Sequence, residues 1–242
     1  SAKNMFDALQ GSEIVSSHRH DDGVVQDAYS LRCSPQVTGA ARDTLAHAER
    51  VAEIELQSVI DNPVVLADGE VTSNGNFHGA PIGYVLDFLA IAITDLSSIS
   101  ERRTDRFLDT ARNRGLPGFL AFDPGVDSGM MIAQYTQASL VSENKRLSVP
   151  ASVDSIPSSA MQEDHVSMGW HAARKLLKVI SNLRRVIAIE LVVAARAIEL
   201  RGPLKPSPKS AEMIAGLREV VPGFGPDEYM SEQLENAERM LL

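Results

Sequence analysis

The chain has 242 residues, of which 44% are hydrophobic and only 5% aromatic, a composition typical of a soluble globular protein with an aliphatic core and not of a disordered chain. Its net charge of −9 disfavours a nucleic-acid partner, and its single cysteine, which cannot form an internal disulfide, favours a reducing, cytoplasmic location. Because the sequence has neither a signal pattern nor a run of eighteen uncharged apolar residues, we expect no secretion and no membrane span.

The first predicted elements are helices. A short helix around residues 4–10 belongs to an N-terminal segment, residues 1–23, which we expect to be flexible. A long helix is predicted over residues 38–60, where apolar residues recur every three or four positions and form a single stripe. Asn62 and Pro63 should end this helix, because a residue that precedes proline avoids the helical conformation.

The middle of the chain alternates loops with two further helices. Residues 64–78 are rich in glycine and asparagine and are predicted to form a loop, with a small hairpin at residues 68–69. A second long helix is expected over residues 82–107 because it continues the apolar periodicity. After another loop, a Ser128 cap predicts the start of a helix that runs to about residue 145.

The longest helical pattern runs from about residue 162 to residue 200. Its centre, residues 186–195, is apolar on most sides, which implies burial by several neighbours. A Gly-Pro pair ends it, and residues 203–242 form a tail with two short amphipathic helices. Together these patterns predict an all-α fold, an elongated bundle of long antiparallel helices with irregular, site-bearing loops, whose core spans residues 24–202.

Three groups of polar residues lie in the predicted loops and could carry chemistry. In the first, Gln26, Tyr29 and Arg32 are spaced by three, so a helical turn would present an amide, a phenol and a guanidinium within an arc of about 120°. Arg32 offers the forked, permanent charge that suits a carboxylate, and the phenol of Tyr29 can transfer a proton. A polar turn with an arginine on the surface is the simpler interpretation of the spacing alone.

The second and third groups lie further along the chain. At residues 74–79 the glycines allow the backbone to approach a ligand closely and Phe77 could pack on a planar group, although an ordinary turn explains the same residues. At residues 162–169, Glu163 could accept a hydrogen bond from an imidazole or take a proton, and His165 could act as acid or base. A polar helix start explains this stretch equally well. No spacing typical of metal ligands is present, so no metal is predicted.

Five stretches of the chain resemble one known family. They are VQDAYSLRC at residues 25–33, GNFHG at 75–79, Asn144-Lys145, PASVDSIPSSAMQEDHVSMG at 150–169, and RGPL at 201–204. On these motifs, of which the fourth is the most specific, nearly the whole chain after Asp22 resembles the C-terminal half of the histidine ammonia-lyases, within the aromatic amino acid lyase family. Ala28 and Ala80 depart conservatively from the Pro and Glu that are common in the family.

The resemblance implies a fold of long bundled helices and an enzyme that eliminates ammonia from L-histidine to give trans-urocanate. It also implies a homotetramer whose active sites draw on several subunits, and an electrophilic methylidene-imidazolone prosthetic group made from an internal Ala-Ser-Gly. Carried over by motif, Arg32 would bind the substrate carboxylate, and Tyr29 and Gln26 would line the site near the electrophile. Phe77 would lie close to the prosthetic group, and Glu163 would hold the imidazole or assist proton removal. Tyr29 and Glu163 are therefore the expected catalytic residues.

A glutamate at position 163 favours histidine as the substrate, because a phenyl ring would leave a buried carboxylate unpaired. The chain itself contains no Ala-Ser-Gly and is about half the family's usual length. We therefore expect an N-terminal half to supply the electrophile, and the chain alone to be inactive. Two alternatives stay open, namely a non-catalytic, self-associating helical module and a related aromatic amino acid lyase or aminomutase. A fumarase- or aspartase-type lyase is disfavoured because its Met-Pro-x-Lys-x-Asn signature is not in the sequence.

Overall fold

The computed structural model describes residues 1–19 and 23–242. Within these residues the chain forms nine α-helices, three short 3₁₀ helices and one two-stranded hairpin, which confirms the predicted all-α class. The helices are α1 (Ala2–Leu9), α2 (Glu13–Ser16), α3 (Tyr29–Arg32), α4 (Ser34–Gln57), α5 (Ala80–Leu108), α6 (Met131–Leu147), α7 (Gly169–Glu199), α8 (Pro208–Arg218) and α9 (Met230–Met240). The strands are β1 (Val64–Val65) and β2 (Val71–Thr72).

The described chain divides into two compact units, each of which is discontinuous in sequence. Unit 1 contains residues 1–39, 95–143 and 181–242, and unit 2 contains residues 40–94 and 144–180. The four long helices α4, α5, α6 and α7 each contribute residues to both units. The expected division into segments 1–23, 24–202 and 203–242 stays a prediction, and residues 20–22 of the first segment lie outside the described residues.

The core of unit 1 is aliphatic and is built around the C-terminal part of α7. Val186, Ile189 and Val193 of this helix are almost completely buried, as are Leu120 and Leu217 from other parts of the unit. Burying each such side chain contributes roughly 1.5–3 kcal/mol. The predicted burial of residues 186–195 by several neighbours is therefore confirmed.

The N-terminal and C-terminal parts of unit 1 are joined by hydrogen bonds. The hydroxyl of Ser207 donates to the carbonyl oxygen of Ala8 at 2.6 Å, and it also accepts the backbone N–H of Ser210, so that it caps α8. Nearby, the backbone N–H of Glu13 donates to the carbonyl oxygen of Lys205 at 2.9 Å. These bonds attach α1 and α2 to the start of the C-terminal tail.

Unit 2 contains a buried ion pair beside a smaller apolar core. The carboxylate of Asp87 accepts hydrogen bonds from Lys175 Nζ at 2.8 Å and from the backbone N–H of Ser152 at 2.7 Å. Burial alone would raise the pKa of Asp87, but the bonds from Lys175 and Ser152 outweigh it, so the pKa lies below its ordinary value. Lys175 Nζ also donates to the carbonyl oxygen of Val149. The pair therefore fixes the irregular segment, residues 148–158, to α5 and α7 within unit 2.

Two predicted helix starts are wrong by several residues. Helix α6 begins at Met131 and not at Ser128, because Gly129 has a φ of +58° and the Ser128 and Gly129 N–H groups donate to the carboxylate of Asp227. A Cβ at Gly129 would lie 2.5 Å from the carbonyl oxygen of Phe119, so only glycine fits this turn. The structure therefore replaces the predicted Ser128 cap with a carboxylate from the C-terminal tail.

Helix α7 begins at Gly169 and not near residue 162. The residues before it use their backbone groups in a loop, where Glu163 pairs with Ser158 and the N–H of Val166 donates to the hydroxyl of Ser155. The interpretation of Glu163 as part of a polar helix start is therefore wrong, because this residue lies in a loop six positions before the helix.

The remaining predicted elements agree more closely with the structure. The hairpin at residues 68–69 is confirmed, with Val64 opposite Thr72 and a φ of +89° at Gly69.

Residues 76–108, which include α5, are long and apolar enough to cross a membrane by length and composition. The core helix of a soluble protein passes the same test. Helix α5 also carries two acidic side chains that have partners on other helices, Asp87 with Lys175 and Glu101 with Gln134.

Candidate active site

Tyr29 and Arg32 lie together on α3, a single helical turn in unit 1 that we call the Tyr29 turn (residues 29–32). The guanidinium carbon of Arg32 lies 4.5 Å from the centre of the Tyr29 ring, so the two side chains stack. Arg32 Nε donates to the carbonyl oxygen of Asp27 at 3.0 Å, and Tyr29 is 69% exposed. The turn therefore presents a phenol and a guanidinium side by side at the surface of unit 1.

Gln26 does not share this turn. It is exposed in a bend three residues before the helix begins, and the residue that caps the helix is Ala28. The idea that one helical turn presents all three side chains is thus wrong for Gln26, because the chain turns helical only from Tyr29 onward.

Phe77 lies in a loop of unit 2 that asparagine side chains hold in place. Asn76 Nδ2 donates to the carbonyl oxygen of Val59 at 3.1 Å, and Asn74 Nδ2 donates to that of Asp61 at 2.7 Å. Residues 76–78 form a short 3₁₀ helix that ends at Gly79 with a φ of +75°. These bonds explain the asparagine- and glycine-rich composition and leave the ring of Phe77 56% exposed.

Glu163 lies at the end of a tight backbone loop that we call the Glu163 hairpin (residues 158–163). Ser158 and Glu163 pair as an antiparallel bridge, and the Ser158 hydroxyl donates to Glu163 Oε2 at 2.5 Å. Ser159, Ala160 and Met161 all have positive φ values, between +50° and +73°, although none of them is glycine. Such residues cost free energy and persist where the surrounding structure requires them, often at functional sites.

The Phe77 loop and the segment after the Glu163 hairpin are joined within unit 2. The rings of His78 and His165 stack with their centres 5.5 Å apart, and His78 Nε2 donates to the carbonyl oxygen of His165 at 3.0 Å. The hydroxyl of Ser167 donates to the carbonyl oxygen of His78 at 2.6 Å. The sequence places these residues 87 and 89 positions apart, and the structure brings them into contact.

The structure thus assembles the candidate residues into two groups. Tyr29 and Arg32 form a stacked pair of a phenol and a guanidinium in unit 1, and Phe77 and Glu163 belong to joined loops in unit 2. Among residues 1–19 and 23–242, no group of three or more His, Cys, Asp or Glu side chains could hold a metal ion. A guanidinium can bind a carboxylate, a phenol can transfer a proton, and a carboxylate can accept a hydrogen bond from a polar ring.

Sequence reasoning missed the side chains behind the Tyr29 turn. Arg103 on α5 donates from Nη1 to the carbonyl oxygen of Ser30 at 3.3 Å, and its other nitrogens pair with Glu190 on α7. Glu190 lies inside the otherwise apolar centre of α7, and a charge in such a stretch is the signal that could have identified it.

Comparison with known proteins finds relatives of the chain in one family. A profile described as "Aromatic amino acid lyase" matches residues 1–219. The chain is 66% identical over 239 residues to a histidine ammonia-lyase from Streptomyces avermitilis and 50% identical over 242 residues to one from Gloeobacter violaceus. These matches cover 98% and 100% of this chain and 47% of each relative, so the chain spans about half the length of the curated relatives it matches.

Solved structures show the same all-helical fold. The structure of histidine ammonia-lyase from Trypanosoma cruzi matches with a TM-score of 0.86 and 40% identity, over 97% of this chain and 48% of that one. The structure of tyrosine aminomutase from Streptomyces globisporus matches with a TM-score of 0.89 and 37% identity, over 99% of this chain and 49% of that one. Two different reactions are therefore carried out on this fold, and the fold alone does not choose between them.

Proposed function

The chain belongs to the aromatic amino acid lyase family, and we propose that it supplies the C-terminal half of a histidine ammonia-lyase, which eliminates ammonia from L-histidine to give trans-urocanate. The observation that carries this proposal is its identity of 66% and 63% with histidine ammonia-lyases from two Streptomyces species, against 37% with the tyrosine aminomutase of the same fold. That difference disfavours an aminomutase, and the site residues disfavour a non-catalytic module. A cytoplasmic location fits the single cysteine.

Arg32 is proposed to bind the carboxylate of histidine. Its Nε donates a hydrogen bond to the carbonyl oxygen of Asp27. Its two terminal nitrogens form no hydrogen bond to any residue that the structure describes. A guanidinium can therefore offer a forked pair of hydrogen bonds to a carboxylate, an arrangement that is both strong and geometrically specific. The stacked ring of Tyr29 limits the orientations of this guanidinium.

Glu163 is proposed to bind the imidazole ring. The bond from Ser158 holds one carboxylate oxygen in place, and an imidazole N–H can donate to the other. Glu163 is exposed in this chain, so its carboxylate is not buried here, contrary to the expectation from the sequence. In an assembled site that excludes water, a phenyl ring, which offers no such donor, would leave this carboxylate unpaired at a cost of about 1–3 kcal/mol. Glu163 would therefore select histidine over phenylalanine.

Tyr29 is proposed to move a proton during the elimination. In this reaction the bond from the α-carbon to nitrogen breaks, a proton leaves the β-carbon, and a carbon–carbon double bond forms as ammonia departs. A phenol next to a guanidinium can accept or donate a proton at the reacting atoms, and general acid–base catalysis of this kind contributes typically 10²–10⁴-fold. Gln26 would line the same site.

The family implies a methylidene-imidazolone formed from Ala-Ser-Gly, a tripeptide that this chain does not contain. The exposed rings of Tyr29 and Phe77 fit a role beside such a group supplied from elsewhere, because each leaves a large planar surface uncovered. The group, when bound, would withdraw electrons from the substrate so that ammonia can leave. Phe77 would pack on its planar ring, and Tyr29 would act on the substrate next to it.

The enzyme is proposed to be a homotetramer whose active sites draw on several subunits. Tyr84, Phe88 and Ile91 form an exposed apolar stripe on α5 in unit 2, with the spacing of one helix face. An exposed apolar stripe of this kind is typical of a surface that is covered in an assembly.

A chimera tests the proposed function. In it, this chain replaces the matching half of the histidine ammonia-lyase from Streptomyces avermitilis, and urocanate formation from L-histidine is followed by its absorbance. We expect turnover by the chimera and none by the 242-residue chain alone. A chimera in which the serine of the Ala-Ser-Gly that the family implies is replaced by alanine gives the background. A folded, oligomeric chimera without turnover, or turnover by the chain alone, would contradict the proposal.

A further inference from the structure

The Tyr29 turn has little intrinsic stability. It contains only four residues, and one helical turn fixes several backbone angles for very few hydrogen bonds. Its own bonds include those from the N–H groups of Arg32 and Cys33 to the carbonyl oxygens of Ala28 and Tyr29. Since two of the proposed site residues of unit 1, Tyr29 and Arg32, sit on this turn, something outside it must hold their positions.

Arg103 reaches the turn from behind. Its Nη1 donates to the carbonyl oxygen of Ser30, between Tyr29 and Arg32, at 3.3 Å and lies 3.5 Å from the hydroxyl of Ser34, where α4 begins. One nitrogen therefore ties the backbone of the turn to the first residue of the following long helix.

An acidic side chain, Glu190, fixes the arginine itself. Arg103 Nε and Nη2 form a forked pair with the carboxylate of Glu190, the latter at 2.9 Å, and the hydroxyl of Ser100 donates to the same carboxylate at 2.6 Å. The side chains of Arg103 and Glu190 are only 19% and 17% exposed. Behind them, Gln137 Nε2 donates to the carbonyl oxygen of Val186 at 2.9 Å and lies 3.4 Å from the Ser100 hydroxyl. Two helices and a buried amide thus fix the direction of one guanidinium.

Stability alone does not explain this arrangement. Well-packed apolar side chains in place of a buried ion pair are often equally stabilising, because desolvation of the two charges offsets their attraction. What an apolar side chain cannot do is donate a hydrogen bond to the carbonyl oxygen of Ser30. The third guanidinium nitrogen, Nη1, lies outside the forked pair and donates to Ser30. This bond is therefore the distinctive feature of the pair.

We propose that Arg103 and Glu190 form a clamp that positions the phenol of Tyr29 and the guanidinium of Arg32 for the reaction. The proposal rests on the proposed function, because it assigns to these two residues a positioning role for the same site. The clamp is assigned no contact with substrate or prosthetic group. It acts through the backbone of Ser30, so its loss should affect substrate binding and turnover together.

A matched control is available in the same unit. Arg218 forms a forked pair with Glu199, its Nη1 donates to the carbonyl oxygen of Pro222 at 3.0 Å, and the side chains are 18% and 27% exposed. This pair has the same chemistry as the clamp, but it binds the backbone of the C-terminal tail and not that of the Tyr29 turn.

The test compares Arg103→Met/Glu190→Gln with Arg218→Met/Glu199→Gln, each as a double variant so that no charge is left unpaired. In the chimera we expect the first to lower kcat/KM for L-histidine by about 10–100-fold, with KM raised and kcat lowered, because small misplacements of reacting groups have effects of this size. The second should change kcat/KM by less than about threefold. Arg103→Lys, which retains the charge but not the fork, should fall between them and guards against a double variant that does not fold.

Hydrogen exchange of the 242-residue chain gives a readout that does not need activity. Amides of residues 29–33 should exchange at least about tenfold faster in the first variant than in the unchanged chain. In the control variant their exchange rates should equal those of the unchanged chain. Unchanged exchange in the first variant, or faster exchange with kcat/KM within threefold of the unchanged chimera, overturns the clamp. An inactive unchanged chimera instead contradicts the proposed function, and the exchange measurement still decides on the clamp.

Discussion

The Tyr29 turn and the Glu163 hairpin present functional groups in different ways. The turn is held by a side chain 73 positions away along the chain, which reaches the carbonyl oxygen of Ser30. The hairpin is held largely by itself, through a backbone bridge and a hydroxyl from Ser158, only five positions away. Tertiary packing therefore positions the first group, and local sequence positions the second. Substitutions should separate these two cases.

The largest effect is expected at the turn itself. Tyr29→Phe removes the proposed proton-transferring hydroxyl but keeps the ring that stacks on Arg32. In the chimera kcat should fall about 1,000-fold with little change in KM, because the lost group acts in the reaction and not in binding. Tyr229→Phe, an exposed tyrosine in the C-terminal tail, is the control. A kcat within tenfold of the unchanged chimera would show that Tyr29 transfers no proton.

The second effect concerns the segment that leads into the hairpin. Asp87→Asn breaks the ion pair with Lys175 that fixes this segment, and it should cost about 2–3 kcal/mol of unfolding free energy at pH 7. Hydrogen exchange should then rise in residues 148–157, but not in the locally held hairpin or in residues 29–33. Asp95→Asn on the same helix, where the side chain is exposed, serves as the control in urea unfolding. Equal losses of unfolding free energy in the two variants would show that Asp87 does not have this structural role.

The same pair predicts a dependence on pH. The pKa of Asp87 lies below its ordinary value, so its contribution to stability is complete above about pH 4 and is lost as the pH falls through the lowered pKa. The difference in unfolding free energy between the unchanged chain and Asp87→Asn should therefore be constant between pH 5 and 8 and shrink below about pH 4. A difference that grows in acid would have the wrong sign for this account.

A third, smaller effect separates charge from geometry at the turn. Arg32→Lys keeps a positive charge but loses the fork and the stacking on Tyr29. KM for L-histidine should rise about 10–30-fold and kcat should change less, because a lysine binds a carboxylate as a point charge. Steady-state kinetics of the chimera measure both constants, and Arg19→Lys, outside the proposed site, is the control. If kcat falls and KM does not change, Arg32 does not bind the carboxylate.

The smallest effect is expected within the hairpin. Ser158→Ala removes the hydroxyl that orients Glu163, but the backbone bridge between the two residues remains. We therefore expect kcat/KM for L-histidine to fall only about fivefold, the equivalent of one hydrogen bond. Ser155→Ala, which removes the bond to Val166 N–H in the same loop, is the matched comparison. A fall greater than 100-fold would mean that Ser158 itself takes part in the reaction.

The same contrast explains how much of the molecule could be predicted from sequence. Periodic apolar residues predicted the long helices α4, α5 and α7, because burial of one face is a local pattern. The start of α7 was misplaced, since the polar residues 162–168 suit a helix but bond to the loop before them. Glu163 could be proposed because its motif is contiguous. Arg103 could not, because its partners Ser30 and Glu190 lie 73 and 87 positions away. The charge of Glu190 in an apolar stretch marks that residue, but the sequence does not give its partner.

The central proposal is that Arg32 binds the carboxylate of L-histidine and that Glu163 binds its imidazole ring. The most direct test is a crystal structure of the chimera with 3-(imidazol-4-yl)propanoate, which lacks the amino group and cannot lose ammonia. The account predicts its carboxylate within about 3 Å of the Arg32 terminal nitrogens and a ring nitrogen within about 3 Å of the Glu163 carboxylate. A ligand bound with its carboxylate away from Arg32, or its ring away from Glu163, would contradict the account.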